Sequence, residues 1–65
     1  MPTDNANRQP TPAQAALIAE LKAHGQRMAL LINEVAERGG DARSAREAGV
    51  RLEESVMWAV KGVMA

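Results

Sequence analysis

Residues 37–41, ERGGD, decide how this chain folds. Arg38 suits the negative end of a helix dipole, and Gly39 or Gly40 can take the left-handed conformation that closes a helix. Asp41 can then cap the start of another helix. If the segments on both sides are helical, so tight a turn makes them antiparallel neighbours.

Upstream, TPAQ at residues 11–14 is a start signal. Thr11 can serve as N-cap, Pro12 fits the first helical position where no donor is lost, and Gln14 can return a bond to the Thr11 backbone. The helix that follows carries Leu17, Leu21, His24, Met28, Leu31 and Val35 at spacings of four and three. Ile18, Gly25, Ala29, Ile32 and Ala36 form a second stripe beside the first, so the apolar face is wide. Downstream of the turn, Ala45, Gly49, Leu52, Val56, Ala59 and Val63 repeat the spacing, and Met57, Val60 and Met64 add a separate row. The expected fold is all-α: an antiparallel two-helix hairpin, helices about 12–38 and 42–64, preceded by an irregular N-terminal tail over residues 1–10.

The second helix is lean. Ala45, Ala48, Gly49, Ser55, Ala59 and Gly62 remove bulk and let another backbone approach, and each of its glycines costs about 1 kcal/mol of helix propensity. A chain of 65 residues with one aromatic, Trp58, has little else to build a core from. Chains of this size bury only about 60% of their unfolded surface. The row at Met57, Val60 and Met64 therefore reads as an oligomerisation face, and a compact homo-oligomer is expected.

Eight basic and eight acidic side chains leave no net charge, so neither a phosphate stripe for a nucleic acid polymer nor a strongly acidic field is present. The absence of cysteine excludes a disulfide framework, a cysteine zinc site and a thiol nucleophile, and fits a reducing cytosol. The polar opening MPTDNANRQPTP does not read as a signal peptide, and no apolar run has the length of a membrane span. A soluble cytoplasmic protein is expected.

Catalytic chemistry finds little support. His24 has Glu20 four residues before it but no second ligand on its face, so it reads as an interface histidine and no metal is expected. Glu53 and Glu54 are adjacent and point apart, and RGGD is too short to cradle a phosphate. Lys22 lies at the edge of the apolar face beside Ile18, Leu21 and Gly25. It either snorkels to solvent or contacts a phosphate in space opened by Gly25. Arg8 is a second cation, too far along the tail to reach its own Lys22, so a site using both would lie between subunits.

NRQPTPAQAALIAELKAHGQRMALLINEV at residues 7–35, DAR at 41–43 and LEESVMWAVKGVMA at 52–65 together resemble the helical-hairpin domain of small phage sponges, the anti-CBASS and Thoeris anti-defence proteins. The family pattern has a Gly-Tyr-Arg tail, a Ser or Thr cap three residues on, a helix ending E-[IL]-K-A-x-G, and a second helix with D-x-R and L-[QE]-[QE]-x-x-M. The resemblance covers about residues 6–65. It implies a homo-oligomer, typically a hexamer, that acts in the host cell cytoplasm and binds cyclic di- or trinucleotides between protomers without degrading them. It implies no enzyme activity and no cofactor. The family's lysine falls on Lys22 and its tail arginine on Arg8, with Gly25 beside the lysine and Arg43 at the arginine of D-x-R. Its base-stacking tyrosine falls on Asn7, a departure that removes about 1–3 kcal/mol of stacking per base. The alternative from another class is an oligomeric helical hairpin that binds a protein partner and has no nucleotide site.

Overall fold

The computed structural model of the chain describes residues 9–65. Helix α1 spans Pro12–Glu37 and helix α2 spans Ala42–Met64, and the two pack against each other with no strand among the described residues. The last helical residue of α1 falls one short of the expected 38, because Arg38 becomes the C-cap.

The start of α1 is the expected capping box. Thr11 Oγ1 accepts from the Gln14 backbone N–H at 3.1 Å, and Gln14 Oε1 accepts from the Thr11 N–H at 2.8 Å. Two donors that a helix start leaves without partners are thereby satisfied. Gln14 has a further role that the spacing does not reveal. Its Nε2 donates to the Val63 carbonyl at 3.2 Å, joining the first turn of α1 to the last turn of α2. One amide thus closes the open end of the hairpin.

At the other end the two glycines act for different reasons. Gly39 takes φ +93°, which a side chain disfavours, and its N–H donates to the Ala36 carbonyl at 3.2 Å. Gly40 donates to the Val35 carbonyl at 2.7 Å, which completes a Schellman motif. That short approach leaves no room at Gly40, where a Cβ would lie 2.6 Å from Val35 Cγ1 and 2.7 Å from its carbonyl oxygen. Asp41 then caps α2, accepting from the Ser44 N–H at 2.8 Å and the Ser44 hydroxyl at 2.6 Å.

Between these ends the seam is formed by Ile18, Leu21, Gly25 and Ile32 on α1 against Ala45, Gly49, Leu52, Val56, Ala59 and Val63 on α2, with only Ile32 and Ala45 buried. Of the two stripes on α1, the one containing Ile18, Gly25 and Ile32 is the one that meets α2. Leu17, Met28, Leu31 and Val35 of the other stripe remain 48%, 50%, 42% and 44% exposed. In the row at the end of α2, Met57 is exposed, whereas Val60 and Met64 are half-buried.

Two measurements check this account of the turn. Gly40→Ala should cost more stability than Gly39→Asn, by about 1 kcal/mol or more in denaturant unfolding, since asparagine tolerates a positive φ but no side chain fits against the Val35 backbone. The hydrogen bonds from the Ser44 hydroxyl, then from the Ser44 backbone, lower the Asp41 pKa below the ordinary 3.8, against a small opposing effect of burial. A lowered folded-state pKa contributes stability that is present above the ordinary value and is lost as pH falls through the lowered one. Melting temperature should therefore drop more steeply below pH 3.8 in the native chain than in Asp41→Asn, where the cap keeps an acceptor but does not titrate.

Candidate functional site

An antiparallel pair of helices has two sides, and the grooves beside the seam define them here. One groove is lined by Ala29, Ile32 and Asn33 of α1 and by Arg46, Val50 and Glu53 of α2. Lys22 lies seven residues before Ala29, while Met57 and Val60 lie seven after Val50 and Glu53. A seven-residue step returns a side chain to nearly the same face, so Lys22, Met57 and Val60 belong to this side. The other groove is lined by Leu21, His24, Gly25, Arg27, Met28 and Leu31 with Leu52 and Val56. The molecule thus has a lysine side and a histidine side, each with uncovered apolar surface.

Lys22 is exposed and makes no hydrogen bond or ion pair among the described residues. It differs in this from Arg38, bonded to Glu34 at 3.0 Å, and from Arg51, held by Glu47 at 2.9 Å and Glu54 at 3.2 Å. Those pairs are solvent-exposed and contribute little to stability. Their consequence is that the charge of Lys22 is available to an anion while the charges of Arg38 and Arg51 are already matched.

Gly25 is placed differently from the sequence expectation. A Cβ on Gly25 would lie 2.9 Å from Val56 Cγ2, so its missing side chain admits Val56 of α2 and opens no space for a phosphate beside Lys22. Arg43 is exposed in the first turn of α2. The pairings Gln14–Val63 and Gly25–Val56 set the helix register and place Arg43 about 21 Å along the axis from Lys22. One hairpin therefore does not bring those two cations together. Arg8 and Asn7 lie outside the described residues.

Sequence reasoning passed over two features. Arg46 lines the lysine-side groove and has no ion pair among the described residues, a role signalled by its position three residues before Gly49. Trp58 points away from the seam, 64% exposed, with Lys61 Nζ 4.9 Å from its ring centroid. The i, i+3 spacing of an aromatic and a lysine was the available signal for that cation–π contact. Among the described residues no group of three His, Cys, Asp or Glu side chains is arranged to hold a metal, and no helix is long and apolar enough to cross a membrane.

Compared with family models, curated proteins and solved structures, the chain finds no match.

The packing role of Gly25 has a direct check. Gly25→Ala should destabilise the hairpin by about 1–3 kcal/mol, because the β-branched Val56 has little freedom to move aside. Val56→Ala should recover much of that loss in the double variant, a coupling that calorimetric melting of the four chains would measure.

Proposed function

We propose that this chain is an oligomeric phage anti-defence protein that binds a cyclic di- or trinucleotide between hairpins and sequesters it without chemical change. The observation that carries the reading is Lys22: an unpaired cation on the same side as the apolar Met57 and Val60 surface. If a second hairpin covers that surface, Lys22 stands at the boundary between subunits. A phosphate arriving there meets a charge in a partly dehydrated setting, where a charged hydrogen bond is stronger than in open water. The resemblance of Lys22 and the segments around it to the sponge family supplies the ligand class, and Arg8 from a neighbouring chain supplies a second cation.

Gly25 has no part in phosphate approach in this reading. It holds the helices close, and the site is built on the flank of the seam. Asn7 offers hydrogen bonds but no stacking area, so affinity rests more heavily on phosphate contacts than it would with a tyrosine. A hexamer is the assembly that the resemblance implies.

The second reading is a hairpin that binds another protein, favoured by the uncovered apolar surface on both sides. A panel of cyclic di- and trinucleotides separates the two. Under the sponge reading at least one member raises the melting temperature, since a ligand that binds only the folded assembly stabilises it by mass action, and the ligand is recovered intact. Lys22→Ala should weaken that binding by about 1.5–3 kcal/mol without changing the assembled mass. Asn7→Tyr should strengthen it. Absence of binding across the panel by an intact assembly would favour the protein-partner reading, and unchanged affinity in Lys22→Ala would remove the proposed site.

A further inference from the structure

Gln14 uses both polar atoms of its side-chain amide. Its Oε1 accepts from the Thr11 N–H at 2.8 Å, and its Nε2 donates to the Val63 carbonyl at 3.2 Å. The two bonds fix the orientation of the amide, since only the oxygen accepts and only the nitrogen donates. A capping box takes Glu or Gln at this position, and the positive end of the helix dipole favours Glu. A glutamate would have no donor for the Val63 carbonyl, which lies in the last turn of α2 and has no acceptor role inside the helix. The glutamine thus does something the cap alone does not require. It ties the N-cap of α1 to the last turn of α2.

The chain that enters this N-cap is stiff. Gln9 and Thr11 each precede a proline, which disfavours helical backbone at both, and the ring of Pro10 fixes its own φ. Thr11 has φ −66° and ψ 164°, close to polyproline geometry. Gln9 and Pro10 are exposed and precede the first helix. Residues 9–11 therefore form a short arm, held at its root by Gln14 and restricted along its length by proline.

We propose that Gln14 and Pro10 are positioning residues for the cation of Arg8, Gln14 by anchoring the arm beside the end of α2 and Pro10 by keeping it extended. The role rests on the nucleotide-binding reading above. Arg8 precedes Thr11 by three residues, so its backbone stays within about 11 Å of the anchor. Lys22 of the same chain is about 16 Å from Thr11 along α1. The anchor thus keeps Arg8 at the open end of its own hairpin, where it can share a phosphate with Lys22 of another. An arm fixed at its root and stiff along its length has less freedom to lose when it meets an anion, and preorganisation of this kind raises affinity.

Pro10→Gly separates positioning from folding. Pro10 is exposed and lies before the cap, so the melting temperature should hold. Affinity for the tightest-bound member of a panel of cyclic di- and trinucleotides, measured by calorimetry, should fall at least about fivefold as the arm gains freedom. Gln14→Glu keeps an acceptor for the Thr11 N–H and loses the donor to Val63, so affinity should fall severalfold with the capping box intact. Both losses should vanish in an Arg8→Ala background, where the arm has no cation to place. Unchanged affinity in Pro10→Gly, or the same fold loss with and without Arg8, would overturn the positioning role and leave the sponge reading standing. A panel in which nothing binds the native chain would overturn both.

Discussion

Two helices laid side by side can bury only the strip of surface between them, and almost every feature of this molecule follows from that limit. The seam brings Ile32 and Ala45 to 9% exposure and buries no large side chain completely. Chain entropy opposes ordering the 26 and 23 residues of the helices, and a strip this narrow cannot offset much of it. The ends consequently carry much of the specification. Gln14 joins one end through its bond to Val63, and the Gly39–Gly40 turn with the Asp41 cap closes the other. Both ends use polar groups that a helix terminus would otherwise leave unsatisfied, so the hairpin gains definition where it has least apolar surface.

The same limit explains which parts were legible in the sequence. Thr11, Pro12, Gln14, Gly39, Gly40 and Asp41 act through neighbours within a few positions, and the caps and turn are found where local chemistry places them. The choice between the two α1 stripes was not legible, because either is apolar enough to face α2. That choice accompanies the fit of Gly25 to Val56, a contact 31 positions apart in the chain. A glycine announces missing bulk but not what fills the space, which is why Gly25 read as an opening for a ligand. The second bond of Gln14 was hidden for a similar reason: the capping box accounts for the amide oxygen and leaves the amide nitrogen unassigned.

The position of Lys22 at the edge of the apolar face was legible, and it is exposed there without an ion pair among the described residues. Its proposed partners were not placed by one hairpin. Arg43 sits near the turn at the far end of the axis, and Arg8 and Asn7 lie outside the described residues.

The two sides of the hairpin differ in their chemistry. The histidine side exposes Leu17, Met28 and Leu31 and carries one cation, Arg27, in its groove. The lysine side places Lys22 and Arg46, neither of them ion-paired among the described residues, beside apolar surface, and the same register sets them about 16 Å apart along the axis, too far for one hairpin to present both to a single phosphate.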